Sequence, residues 1–330
     1  MLFLNRSDVE QLLDLDLLIE GLGAAMIELS AGRVSMPARN VVHIAPERGP
    51  RGLFAAMPAY LDSAKTLAAK LVSVYPENES RGIPSHQAIV LVFDSSTGTP
   101  AAIMDGTSIT ATRTACGSAL ATRVLAQPGA RILTILGAGV QARAHARAIP
   151  RVRRIADVRI WSRSPQKAEA LAKELAAELG IFVRPVSTLK DSLAGAEIVC
   201  ATTHSAEPVV LGDWLEPGAH VNSVGLNSQG REVDEAAVLK STVVVESREA
   251  ALAPAPSGAN DLLWSCQKGL LSRESIAEVG EILSGSRPGR TSIQQITLYK
   301  SVGVAVQDAV AAHLVLTEAR RRGIGQEVAL

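Results

Sequence analysis

Residues 131–142 read RILTILGAGVQA, and the fold of the chain turns on them. An apolar strand runs directly into Gly137-x-Gly139-x-x-Ala142, and HARAI follows in helical register. In such a strand–turn–helix the first glycine permits the tight turn. The second lets the backbone approach a pyrophosphate, and the small third residue lets the helix pack on the strand. The helix N-terminus then presents its free N–H groups to the anion. Downstream, the strand candidates DVRIWS, IFVRP, EIVCAT, AHVNSV and TVVVE are interspersed with helical stretches such as PQKAEALAKELAAEL. That alternation is the pattern of parallel βαβ units. It predicts a dinucleotide-binding α/β region from about residue 126, with the rhythm breaking near residue 293.

Where NAD is bound, the second strand of such a region ends in an acid that accepts from the ribose 2′-OH. Here Ile160-Trp161 leads instead into Ser162, Arg163 and Ser164. A guanidinium between two hydroxyls suits a 2′-phosphate, so NADPH is favoured as cofactor and NADH remains possible.

Upstream of the turn the character differs. Residues 67–75 (LAAKLVSVY), 88–94 (AIVLVFD) and the segment PAAIMD read as strands, the last two joined by a turn at Ser96-Thr97-Gly98. They predict a hairpin in an antiparallel or mixed sheet. Residues 7–31 carry apolar positions at helical spacing with Ser7 as N-cap, and 108–126 form a helix of small residues stopped by Pro128-Gly129. A final apolar helix over roughly 303–322 ends in Arg320, Arg321 and Arg322 with Gly323 as its cap.

Composition narrows the function classes. The 330 residues suit two domains, and 47% hydrophobic with 20% charged residues excludes a disordered chain. Thirty-three basic residues balance 33 acidic ones, and aromatics are 3%, which argues against nucleic-acid binding and base-stacking platforms. Cys116, Cys200 and Cys266 are odd in number and lack CxxC spacing, so neither a disulfide framework nor a metal site is expected. No apolar run approaches the ~20 residues that span a bilayer. The N-terminal segment, charged at Arg6, Asp8 and Glu10, has no signal-peptide core. The expectation is a soluble cytoplasmic protein with no membrane or nucleic-acid partner.

Three cations outside the nucleotide region lie in small or apolar surroundings: Arg39 before Val41-Val42, Lys70 within LAAKLVSV, and Arg113 within ITATRTACGSALA. Cations in such settings are costly unless paired or at a site, and together they suit a substrate carboxylate. His86, in IPSHQ, is a candidate proton donor. Asn222, Ser223 and Asn227 lie at or beyond the end of AHVNSV, where ligands of open α/β sheets bind.

The segments AAMPAYL, AAKLVSVYPENESRGIPSHQA, MDGTSITATRTACGSALATRVLA, LGAGVQARAH, IWSRSPQKAEALA, VNSVGLNSQGREVD and LYKSVGVAVQDAVAA run in order from about residue 53 to 313. With them the chain resembles the ornithine cyclodeaminase/mu-crystallin family. The resemblance implies an α/β fold. A doubly wound Rossmann domain (126–299) would be inserted into an α+β substrate-binding and dimerisation domain (1–125, completed by 300–330). It implies that Arg39, Lys70 and Arg113 hold the substrate carboxylate. Lys70, Arg113 and Asn227 would be the catalytic group. Ser85, Arg113, Gly137, Ala138, Gly139, Val140, Gln141, Ser162, Arg163, Ser164, Thr202 and Val224 would be the cofactor contacts. It also implies a homodimer.

Family members include cyclodeaminases, alanine and arginine dehydrogenases, and cyclic-ketimine reductases. The cyclodeaminases carry a Glu where this chain has Ala55 and an Asp where it has Asn227. Neither replacement can act as a base. The segments IPSHQA and IWSRS also sit nearer the ketimine reductases. The expected activity is NAD(P)H-dependent reduction of a small α-imino acid, such as pyrroline-2-carboxylate or piperideine-2-carboxylate. The alternatives are an alanine-type amino-acid dehydrogenase, an ornithine cyclodeaminase and a non-catalytic NADPH-binding protein.

Overall fold

In a computed structural model, which describes residues 1–45 and 51–329, the strand predicted before the glycine turn spans Ile132–Leu136. It lies inside an eight-stranded sheet. The order is Phe182–Pro185, Asp157–Trp161, Ile132–Leu136, Ile198–Ala201, His220–Ser223, Ile296–Lys300, Ser241–Val245 and Ala277–Glu278. Every pair is parallel. The next two strands in the chain lie on one side of Ile132–Leu136 and the later ones on the other, so the order reverses there. That reversal opens the crevice in which doubly wound sheets bind ligands. All four residues of Ile198–Ala201 are buried, as expected where helices cover both faces of a parallel sheet.

Two compact units account for the chain: Met1–Arg113 with Val304–Leu330, and Thr114–Gly303. The parallel sheet belongs to the second unit. The helix Gly106–Leu125 contributes residues to both. Its small residues Ala115, Cys116, Ser118, Ala119, Ala121 and Thr122 are all buried, and a helix buried on all sides needs small side chains.

The first unit holds a second eight-stranded sheet. Gly52–Leu61, Thr66–Val74, His86–Asp94 and Pro100–Asp105 pair antiparallel in sequence order, which includes the predicted hairpin. Leu2–Leu4 adds in parallel to Pro100–Asp105. Pro58 sits mid-strand. On one side it faces Ala69; on the other it falls between the partners Asn40–Ile44, which stop at Ala56, and Val34–Ser35, which start at Tyr60. One face of the sheet buries Met57, Lys70 and Val90 in register.

Two expectations need correction. Residues 7–31 are two helices, Arg6–Leu12 and Leu15–Ser30. Asn5, not Ser7, caps the first, accepting from the Asp8 N–H while the Asp8 carboxylate accepts from the Asn5 N–H. Asp14 accepts from the Leu17 N–H and starts the second helix, breaking a run whose apolar spacing reads as continuous. The strand pattern also continues past residue 293. Ile296–Lys300 is inserted between His220–Ser223 and Ser241–Val245 with all five residues buried. A short buried strand shows no alternation, and its terminal lysine reads as surface.

Candidate active site

Lys70 projects from the strand Thr66–Val74, Arg113 from the helix Gly106–Leu125, and both meet the helix Ala305–Arg322 at Asp308. Lys70 Nζ lies 2.8 Å from Asp308 Oδ2, and Arg113 Nε donates to Asp308 Oδ1 at 3.1 Å. Arg113 Nη1 donates to Gln307 Oε1 at 2.8 Å. Lys70, Arg113 and Asp308 are 2%, 4% and 1% exposed, so these are buried charges. Two cations share one carboxylate, leaving one positive charge over. Burying an uncompensated charge is expensive, and an anion relieves it.

Burial lowers the Lys70 ammonium to about 8; Asp308 opposes that shift, while Arg113 and then Arg39 add to it. Burial raises Asp308, but the Arg113 and Lys70 charges outweigh it and hold the carboxyl below its ordinary value. Arg39, just before the strand Asn40–Ile44, thus acts on the same lysine.

In the second unit the predicted cofactor residues gather at the carboxyl ends of the strands. Gly137 has φ +118°, and a Cβ there would lie 2.7 Å from Thr202 Oγ1. Thr202 is itself tied to Leu136, donating through N–H and Oγ1 to its carbonyl, both at 2.9 Å. Gly139 is the N-cap of Val140–Ala148 and offers that helix no side-chain cap. A Cβ on Gly139 would meet no atom within 4 Å. An open face above uncapped helix N–H groups is what a pyrophosphate requires. Gln141 Oε1 is buried there without a hydrogen-bond partner. Val140 is exposed and Ala142 fully buried. These residues fit a dinucleotide.

Next along the crevice, the Ser162 hydroxyl accepts from the Ser164 N–H, and Ser164 caps Pro165–Leu179 by accepting from the Lys167 N–H. Both hydroxyls thus shape the turn, while Arg163 is exposed and makes no ion pair among the described residues. Val224 follows His220–Ser223, its N–H donating to the Ala201 carbonyl.

Other predicted residues make contacts within their own unit. Asn227 Nδ2 donates to the His204 carbonyl, and its Oδ1 accepts from the Gln229 N–H, so the amide holds its own loop. Asn222 is fully buried, donating to Thr122 Oγ1 at 2.9 Å and lying 3.2 Å from His220 Nε2. Ser85 and His86 belong to the first unit; the Ser85 backbone carbonyl accepts from the Tyr75 N–H, and His86 opens a strand.

Asp308 and Gln307 escaped sequence reasoning. The available signal was an acid in AVQDAVAA, a stretch too apolar to leave a carboxylate unpartnered, in a chain with two such cations. Cys116 and Cys200 are buried and Cys266 half-buried, and none of them is in a disulfide. Among the described residues no cluster of His, Cys, Asp or Glu could hold a metal ion. No helix among them is long and apolar enough to cross a membrane.

A family profile described as ornithine cyclodeaminase/mu-crystallin family matches residues 1–323. Ketimine reductase mu-crystallin of Mus musculus is 39% identical over 318 residues, covering 95% of this chain and 96% of that protein. Delta(1)-pyrroline-2-carboxylate reductase of Bacillus cereus is 33% identical over 331 residues, 99% of each. The solved structure of Thermococcus litoralis Delta(1)-pyrroline-2-carboxylate reductase, in complex with NADH and L-proline, superposes with a TM-score of 0.94 at 38% identity. It covers 99% of this chain and 100% of that one.

Proposed function

The chain belongs to the ornithine cyclodeaminase/mu-crystallin family and is an NAD(P)-dependent oxidoreductase, and from that premise we propose that it reduces a cyclic ketimine carboxylate to the cyclic amino acid. The observation that carries the reading is the buried cluster of Lys70, Arg113 and Asp308 with its surplus positive charge. A substrate carboxylate neutralises it, with Arg113 and Arg39 as the clamp. The cofactor, when bound on the Gly137–Gln141 turn, supplies the hydride to the imine carbon. Lys70 donates the proton that the imine nitrogen needs to become an amine, and regains it from solvent. An ammonium brought down to about 8 is poised for that transfer near neutral pH. Asn227 holds the loop after Val224. Ala55 and Asn227 supply no base for cyclodeamination.

The reading includes a homodimer, supported by a half-exposed apolar sheet face carrying Phe54, Leu71, Ile89, Leu91 and Phe93. The test of function is cofactor oxidation with pyrroline-2-carboxylate, piperideine-2-carboxylate, ornithine, and pyruvate plus ammonia. The cyclic imines are expected to be turned over at least ~10-fold faster in kcat/KM than pyruvate with ammonia, a gap of about 1.4 kcal/mol. A reversed order makes the protein an amino-acid dehydrogenase.

Two further outcomes follow from the site. Lys70 must be protonated to attract the carboxylate and to give its proton. Because its pKa is lowered to about 8, kcat/KM falls as pH rises through that value. Lys70→Arg is expected to lower kcat sharply, since a guanidinium keeps the charge but gives up no proton, and to remove the fall near pH 8 from the activity that remains. An unchanged pH profile in that variant would assign the fall to another group.

Cofactor choice is proposed to favour NADPH through Arg163, which offers a charge-assisted bond to a 2′-phosphate. Arg163→Ala is expected to lower the NADPH-over-NADH ratio of kcat/KM by about 10- to 100-fold, the loss of one or two such bonds. A ratio left unchanged means that this residue does not read the ribose.

A further inference from the structure

We infer that Glu232, Asp261 and Lys300 form a frame that positions the nicotinamide half of the cofactor, an inference that rests on the dinucleotide reading above. Ser162–Ser164 close the strand on one side of the order reversal. The ends of Ile198–Ala201 and His220–Ser223 lie on the other. A dinucleotide laid across the reversal with its adenine ribose at Ser162–Ser164 brings its nicotinamide half to Thr203 and Gly225.

Those two backbone positions are held by buried charges. One carboxylate, Glu232, accepts four donors. Oε1 takes the Thr203 N–H at 2.7 Å and Thr203 Oγ1 at 2.8 Å; Oε2 takes the Gly225 N–H at 2.8 Å and Ser223 Oγ at 2.7 Å. Lys300 Nζ donates to the Gly225 carbonyl at 2.6 Å and to Ser223 Oγ at 3.0 Å, and pairs with Asp261 Oδ2 at 3.0 Å. Asp261 Oδ1 in turn accepts the N–H groups of Glu232 and Val233, both at 2.8 Å. Opposite charges therefore grip the N–H of Gly225 and its carbonyl. A Cβ on Gly225 would lie 2.2 Å from the Thr203 carbonyl oxygen, so the two strand ends touch through backbone.

Lys300 is fully buried, Glu232 2% exposed and Asp261 3% exposed. The apolar cluster beneath them, with Val199, Val221, Val243 and Leu298, holds the sheet without charge. Buried ion pairs add little stability over apolar packing, so their use here at the ligand edge of the sheet points to geometry rather than stability. These are positioning residues: they hold the backbone that the nicotinamide meets and do not themselves react.

The test compares the whole cofactor with its adenine half by calorimetry. Wild type, Glu232→Gln and the double variant Lys300→Met with Asp261→Asn are titrated with NADPH and 2′-phospho-AMP, and with NADH and AMP. The double variant removes the Lys300–Asp261 ion pair as a unit and leaves Glu232 its four hydrogen-bond donors. The expectation is a loss of at least ~10-fold in affinity for the whole cofactor, with the matching half-cofactor bound within about twofold of wild type. Equal losses on both, or no loss on either, overturns the frame while the reductase reading stands. Wild-type protein that binds none of the four probes overturns the dinucleotide reading and this inference together.

Discussion

Replacing Arg113 with Met is expected to lower kcat/KM for the imino acid by about 10³-fold, equivalent to ~4 kcal/mol, while the protein stays folded. The asymmetry follows from counting charges. In the native cluster Lys70 and Arg113 share Asp308, and on the proposed reading the surplus charge takes the substrate carboxylate. Without Arg113 the pair Lys70–Asp308 is complete at 2.8 Å, and Arg39 is the cation left for the substrate. Gln307 Oε1 keeps the Val304 N–H as a donor, while Asp308 Oδ1 loses the Arg113 Nε donor and the carboxylate keeps Lys70 at Oδ2. The fold then keeps one cation on Asp308, and the substrate loses one half of its clamp. Arg113→Lys restores the charge without the planar fork and should recover only part of the rate. A melting temperature taken beside the kinetics separates the two effects. An Arg113→Met enzyme with native kcat/KM would show that the surplus charge does not anchor the substrate.

The glycine turn was legible because its chemistry is local. Gly137 needs a positive φ and Ala142 needs to be small, whatever the rest of the chain does, and strand and helix flank them in sequence. Lys70 and Arg113 were legible as anomalies, cations in surroundings that should contain none. Their partner was not. Asp308 lies 195 residues beyond Arg113, and helical periodicity carries no information on which strand a helix covers. The same distance problem hid Lys300 and Asp261, each ordinary in its own segment. The break at Asp14 was hidden for another reason: Leu12, Leu13, Leu17 and Leu18 keep an apolar spacing across it, and a single capping carboxylate decides the outcome.

The two glycines of the turn should fail in opposite ways. Gly139 has φ −97°, which any residue adopts, and a Cβ there meets nothing within 4 Å. Gly139→Val should therefore fold with a melting temperature near that of the wild type. Its side chain would fill the space over the helix N-terminus that the pyrophosphate must enter, and phosphate contacts to backbone N–H groups are lost together. A rise of ~100-fold or more in cofactor Kd is expected, from two or more charge-assisted bonds. Gly137→Ala should behave otherwise. At φ +118° a side chain is strained, and its Cβ would lie 2.7 Å from Thr202 Oγ1 and 3.0 Å from the Thr202 carbonyl oxygen. That carbonyl is backbone and cannot give way, so the strain falls on the strand ends, at a cost of about 1–3 kcal/mol of stability. Thermal denaturation and cofactor titration of both variants decide the matter. If Gly139→Val binds the cofactor as wild type does, no pyrophosphate lies over that turn, and the glycine pattern is a structural turn only.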